Sequence, residues 1–329
     1  LIQSELAWGI TLENNKGIKA DFYIFSPEDG NSTLELLLPQ FINALARDNF
    51  ETDAVRSAAL RFRSLSIKNY SCVALANGTD EFLGIIFFDY AYNIGEISYP
   101  YSVNQKYDKT LIEIATEECV KNKAAGLRIE RQLIPDYETV TAATELGYFC
   151  QERFRMDNVL DFKNINAIPA ISTITFKNAN IKYLEALTDL LIKANLFTKD
   201  ADMFYPILSV KDVCREWLIR VFSGVYGEFL RASKVAFRGN ELIGCCLIIN
   251  LENGIAGIME ISVLPEVSGR GIGTILLAKG LKKLFEDDYI EVDLAVTKGN
   301  DKAIKLYKKL GFLTTGEYTV CYKDMLNNG

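Results

Sequence analysis

The period of the apolar positions changes repeatedly along the second half of the chain, and each change predicts an element. Ser172–Phe176 reads as a strand. Apolar residues then return every three or four positions through Ile181–Ala194 and Val210–Val221, the mark of two amphipathic helices. Alternation resumes at Phe229–Phe237 and Leu242–Leu251, two strands joined by the turn Arg238-Gly239-Asn240. A β-branched strand over Ile258–Val263 runs towards Ser268-Gly269-Arg270-Gly271-Ile272-Gly273, which opens into an amphipathic helix, Thr274–Phe285. A strand at Tyr289–Val296, a helix from Asn300 and a hairpin-like pair of strands close the series. The first half follows the same order, with a strand at Ala20–Phe25 and helices at Leu34–Arg47 and Asp53–Leu65. Strands at Tyr70–Ala76 and Glu81–Tyr90 and a helix at Lys109–Lys123 come next.

The two halves also share residues in register. Glu96-Ile97-Ser98 answers Glu260-Ile261-Ser262, Thr110-Leu111 answers Thr274-Ile275, and Leu146-Gly147-Tyr148 answers Leu310-Gly311-Phe312. Each pair stands 164 positions apart (96 and 260, 110 and 274, 146 and 310). A constant spacing across a strand, a helix and a later loop indicates two copies of one domain. The expected boundaries are 1–160 and 171–329, with a linker over 161–170 that contains Pro169. The copies differ where chemistry is expected. Gln105, Tyr107 and Lys109 stand opposite Gly269, Gly271 and Gly273, Asp136 stands opposite Asn300, and Ala143 opposite Tyr307. The first copy therefore keeps the scaffold and is expected to be catalytically silent.

Composition narrows the chemistry. The 329 residues are 49% hydrophobic and 24% charged, as in a globular protein, and long enough for two domains. A net charge of −7 without a long basic run argues against a nucleic-acid partner. No run of 18 apolar residues appears and the first 25 residues lack a signal-peptide pattern, so no membrane span is expected. The seven cysteines lack metal-ligand spacing and are expected to be reduced thiols in a cytoplasmic setting. The chain contains no histidine, which removes Ser–His–Asp and Cys–His arrangements and the commonest general base. Asp200, Asp202 and Asp212 could hold a cation or form a solvated helical face, and the second reading is preferred.

Glycines at alternate positions of 269–273 permit backbone angles that a Cβ forbids and leave the amides uncovered. With the free N–H groups of the following helix they form a concave anion site suited to a pyrophosphate. A nucleotide-binding P-loop would need a lysine after its glycines, and Gly273-Thr274-Ile275 has none. A dinucleotide fold would find its acidic residue at Asp293, but only 55 residues follow Thr274. Val263-x-Pro265 with Ser268-x-x-Gly271-x-Gly273 resembles the coenzyme A pyrophosphate loop of the Gcn5-related N-acetyltransferase (GNAT) superfamily. Ser268 stands where that family usually has Gln or Arg. The run Asn300-x-x-Ala303-x-x-Leu306-Tyr307-x-x-Leu310-Gly311-Phe312 resembles its second signature, a short helix ending in Leu-Gly-Phe. Asn300, Ala303 and Tyr307 share one helical face, the small Ala303 lets a ligand approach, and Gly311 suits the helix end.

The resemblance implies two tandem acyl-CoA N-acyltransferase folds, α/β with a mixed sheet, of which the second binds acetyl-CoA and no metal. It implies a cofactor loop over Ser268, Gly269, Arg270, Gly271, Ile272, Gly273 and Thr274. Backbone groups of Ile261 and Val263 would hold the pantetheine arm, with Asn300 and Ala303 facing it. Tyr307 would be the general acid. Glu260 is the candidate base, against which stands Glu96 at the same place in the silent copy, suggesting a shared structural duty. The acceptor is expected to be an amine on a small molecule or a protein, contacted from the helices between Ile181 and Val221. A non-catalytic acyl-CoA-binding or interaction module is the alternative.

Overall fold

The computed structural model describes residues 10–13, 19–25, 32–47, 71–77, 81–91, 94–103, 107–131, 137–161, 171–196, 198–252 and 254–325. The helix expected over Asp53–Leu65 lies outside them. Among the described residues no helix is long and apolar enough to cross a membrane. The chain divides into two compact units, residues 1–150 with 319–329, and residues 151–318.

In the first unit, strands β1 (Ile10–Glu13), β2 (Lys19–Phe25), β3 (Ser71–Asn77), β4 (Phe82–Ala91) and β5 (Ile94–Ser102) pair antiparallel in sequence order. β6 (Gly126–Arg131) joins β5 in parallel, from Ile94↔Gly126 to Ser98↔Glu130. The helices are α1 (Ser32–Arg47), α2 (Asp108–Lys121) and α3 (Tyr137–Glu145). α2 packs Leu111, Ile112 and Ala115 against Ile86, Ile97, Leu127 and Ile129. Each such side chain is worth roughly 1.5–3 kcal/mol when withdrawn from water.

The second unit contains β8 (Thr175–Asn178), α4 (Leu184–Asn195) after a 3-10 turn, α5 (Lys199–Met203) and α6 (Lys211–Phe222). Then come β9 (Lys234–Arg238), β10 (Glu241–Glu252), β11 (Ile255–Val263), α7 (Ile272–Glu286), β12 (Glu291–Thr297) and α8 (Asp301–Lys309). β8, β9, β10 and β11 pair antiparallel in that order, and β12 joins β11 in parallel. Leu276, Leu277 and Leu281 of α7 are buried, as are Leu187 and Leu191 of α4 and Leu218 of α6.

Both sheets are completed by an exchanged strand. β7 (Phe149–Val159) follows the first copy in sequence, yet its residues 153–159 pair with β12, from Arg153↔Thr297 to Val159↔Glu291. β13 (Leu313–Asp324) follows the second copy, yet Thr319–Asp324 pair with β6. The boundary read from the repeat, 160 against 171, therefore does not coincide with the compact units. Periodicity reports that a segment is a strand and not which edge it will join.

The repeat itself reaches down to element ends. α2 and α7 begin 164 positions apart (108 and 272), and α3 and α8 span 137–145 and 301–309 at the same spacing. Three expectations need correction. Phe229–Phe237 is a strand only from Lys234, because the Ser233 hydroxyl accepts from Ile248 N at 2.8 Å and donates to Ile248 O at 3.1 Å, replacing a ladder step. The closing hairpin-like pair is one long strand, β13, with Gly316 inside it. The cysteines are not all reduced: Cys150 and Cys321 form a disulfide across a sequence separation of 171. Cys119, Cys214, Cys245 and Cys246 are free and buried.

Candidate active site

In the second unit the parallel pairing of β11 and β12 is short. It runs through Ile255↔Glu291, Ala256↔Val292 and Gly257↔Asp293, and no further pair forms among the described residues. β11 continues to Val263 and β12 to Thr297, so the strands part beyond Gly257 and leave backbone groups on the edges between them. Ile261 and Val263 lie on this open stretch, paired on the other side with Cys246 and Gly244 of β10. A β-bulge at Met259 sits at its start, where the register steps from Ile248↔Ile258 to Leu247↔Glu260. Bulges of this kind re-aim side chains beside functional sites. In the first unit the equivalent pair is zipped on to Ser98↔Glu130. The opening is a property of the second unit's β11–β12 pair.

The glycine loop lies beyond the end of β11. Gly269 and Gly271 have φ near +80° and +81°, where only glycine rests without strain, and a Cβ on either would meet nothing within 4 Å. Gly271 is the N-cap of α7, and the first helical bond runs from Ile275 N to Gly271 O at 3.0 Å. The amides of Ile272, Gly273 and Thr274 are therefore left without helical acceptors, at the positive end of the helix dipole. Ser268, Gly269, Arg270 and Gly271 are exposed, so this cradle opens to solvent. These features fit a diphosphate. Gly273 has a packing duty as well. A Cβ there would come within 3.2 Å of Leu306 Cδ1, so this glycine lets α8 pack against the start of α7.

The structure adds a residue that sequence reading passed over. Lys302 on α8 donates to the Ser268 hydroxyl at 3.3 Å, bringing a second cation to the loop beside Arg270. Its place in the signature run, two positions after Asn300, was the available signal. Asn300 is the N-cap of α8, and its Oδ1 accepts from Ala303 N at 3.2 Å. The Asn300 side-chain oxygen thus holds the start of the helix, worth about 1 kcal/mol. Ala303 is half-buried.

Glu260 and Tyr307 meet in one electrostatic environment. Glu260 is half-buried and accepts from the Ser262 hydroxyl at 2.6 Å. Burial pushes its carboxyl up to about 7; the Asp200 charge adds to this, while Ser262, Arg153 and the Ile261 amide oppose it. Tyr307 is 5% exposed, packs on Phe312 with ring centroids 5.8 Å apart, and has no hydrogen-bond partner for its hydroxyl among the described residues. Burial, followed by the charge of Glu260, holds its hydroxyl proton well above the usual tyrosine range. Burial also pushes the Cys214 and Cys246 thiols up to about 12, so neither is a thiolate nucleophile at neutral pH.

Glu96 is exposed and ion-paired with its register partner Arg128, whereas the repeat equivalent of Arg128 is Val292, which pairs with Ala256 and not with Glu260. The two glutamates share a register and not a duty. The first unit also fills its own helix start. Asp108, 2% exposed in the first turn of α2, accepts from the Ser102 and Thr139 hydroxyls at 2.5 and 3.0 Å. An internal carboxylate occupies the region where the second unit presents open amides. Asp293, the acid required by a dinucleotide site, is bound to Arg155 at 2.7 Å. Asp200 is the partner of Arg153 at 3.3 Å, and no group of three or more possible metal ligands occurs among the described residues.

Comparison with known proteins finds a family match over part of the chain. A model described as the acetyltransferase (GNAT) family matches residues 196–312, which includes α6, the glycine loop and α8. Residues 196–312 are thus similar to the GNAT family. A mycothiol acetyltransferase of Clavibacter sepedonicus is 38% identical over 64 residues, 20% of this chain and 21% of that protein. An uncharacterized N-acetyltransferase of Methanocaldococcus jannaschii is 42% identical over 69 residues, 21% of this chain and 30% of that protein. The chain thus matches well under half the length of these relatives. Among solved structures, a GCN5-related N-acetyltransferase from Sphaerobacter thermophilus aligns with a TM-score of 0.63 at 16% identity, covering 92% of this chain and 95% of that one. A tandem GNAT protein from the clavulanic acid biosynthesis pathway gives 0.58 at 14% identity, with 93% and 98% covered. These similarities show the tandem GNAT fold.

Proposed function

We propose that this protein is an acetyl-CoA-dependent N-acetyltransferase whose second unit is the catalytic one and whose first unit is non-catalytic. The observation that carries the reading is Glu260: a carboxyl poised near neutrality on the strand that parts from β12, beside a protonated buried tyrosine. The loop amides of 269–274, with Arg270 and Lys302, would hold the diphosphate of coenzyme A. The free edge of β11 at Ile261 and Val263 would hold its pantetheine arm, and the half-buried Ala303 leaves room beside it. When bound, the thioester supplies an acyl group already activated for attack by nitrogen.

The chain's own residues move the protons. Glu260 takes a proton from the amine that attacks, either directly or through a water. Its ordinary value near 4.5 would make it a weak base, and burial corrects this. Tyr307 donates to the departing sulfur. A hydroxyl held above its ordinary range does not ionise before that charge develops, and its hydrogen bond strengthens as the charge appears. The acceptor is an amine, small or borne on a protein, entering past α4–α6.

Thiol release from acetyl-CoA across a panel of amines tests the reading. Tyr307→Phe is expected to lower kcat by about 100-fold, with coenzyme A affinity retained. Coenzyme A binding without transfer to any amine or peptide would instead make the unit a non-catalytic acyl-CoA-binding module.

A further inference from the structure

Arg153 is a buried cation that the cofactor loop does not use. It is 7% exposed, lies on the exchanged strand β7, and its guanidinium stands over the Phe204 ring at 5.0 Å from the centroid. Nη1 contacts Asp200 Oδ1 and Thr297 Oγ1, each at 3.3 Å, and Nη2 donates to Ala295 O at 3.2 Å. Thr297 Oγ1 in turn donates to Asp200 Oδ1 at 2.5 Å. Nε is buried without a partner. Three elements, β7, β12 and α5, are thus tied together at the open end of β12. Continuing the register Gly257↔Asp293, with Met259 taken up by the bulge, brings Glu260 and Ile261 level with Ala295 and Val296 across the parted strands, one step short of Thr297. Arg153 is itself the register partner of Thr297. The ion pair therefore stands one strand beyond the candidate base.

We propose that the Arg153–Asp200 ion pair is a positioning device of the acyl-transfer centre, balancing the charge of Glu260 from across β12. It follows that β7, a strand from the first copy in sequence, carries a working part of the second copy's site. The inference rests on the reading of Glu260 as the base. Both partners act on that carboxyl with opposite sign, Asp200 raising it and Arg153 lowering it. The other groups in its field are Ser262 on its own strand, Cys245 and Cys246 on β10, Cys214 on α6 and Tyr307 on α8. The thiols and the phenol stay neutral at the pH of interest. Arg153 and Asp200 are accordingly the full charges that set the balance. An ion pair that served only to pack β7 would leave the titration of Glu260 unmoved when either member was neutralised.

The test is a pH titration of the full chain by infrared difference spectroscopy, with the Glu260 carboxyl band identified by its loss in Glu260→Gln. Arg153→Gln is expected to move the midpoint upward by about one pH unit, and Asp200→Asn downward by about as much. Arg153→Lys, which keeps the charge, stays near the wild-type midpoint. If Arg153→Gln does not fold, Asp200→Asn decides alone, because the part-buried asparagine keeps an oxygen to accept from Arg153 and Thr297. A midpoint that is unmoved or raised in Asp200→Asn overturns the proposal. If the midpoints shift as stated while the acetyl-transfer rate ignores pH over the same range, the charge balance stands and the assignment of Glu260 as base falls.

Discussion

Glu96 and Glu260 occupy one register position of the two repeats and differ by what faces them. Arg128 answers the first, and desolvation with a single hydroxyl bond governs the second. Sequence placed Glu260 on the strand before the loop and Tyr307 on one face of the later short helix, and the structure has them on β11 and α8. It could not weigh Glu260, because burial is supplied by β10, α6 and α8, which are distant in sequence. The raised carboxyl has a thermodynamic consequence. The folded chain holds that proton more tightly than the unfolded chain does, so the associated stability is whole below about pH 4.5 and is lost as pH rises through about 7. Glu260→Gln, which has nothing to ionise, is expected to melt above the wild type at pH 8, with the gap closing at pH 4. Calorimetry at the two pH values checks this, and a pH-independent gap would contradict it. In turnover, kcat of the wild type should rise through about pH 7 as Glu260 ionises.

At the scale of elements, most of the pattern was readable. α7, α8, β10 and β12 lie within a few residues of their expected ranges, because their apolar periods are long and their ends carry glycine or Asn. Two roles within the signatures were not readable. Gly273 looks like its neighbours in sequence, but its missing side chain receives Leu306. Asn300, a candidate ligand contact, also caps α8. Both depend on how α8 docks on α7, which no local pattern records. Gly273→Leu is therefore expected to displace α8 and destabilise the chain by about 1–3 kcal/mol through overpacking. Chemical denaturation measures the loss, and an unchanged midpoint would mean that α8 does not pack there.

At the scale of the whole chain, the repeat was legible and the exchange of last strands was not. The choice of edge for β7 and β13 is a tertiary decision between two strands of similar pattern. A fragment cut at the repeat boundary, 171–329, lacks the seven residues 153–159 that pair with β12. It also keeps 319–324 without β6. Residues 151–318 are expected to unfold cooperatively and 171–329 to aggregate or melt broadly, as followed by circular dichroism; equal cooperativity would speak against the two units. The account as a whole depends on the free amides at the start of α7. The most direct measurement is titration calorimetry of acetyl-CoA against the wild type and Gly271→Val, with S-acetylpantetheine, which lacks the diphosphate, as reference. A β-branched residue at φ +81° distorts the loop. The expected result is a loss of at least about tenfold for acetyl-CoA, or ~1.4 kcal/mol, with little change for the reference. Equal losses for both ligands, or none for either, would show that the diphosphate is held elsewhere.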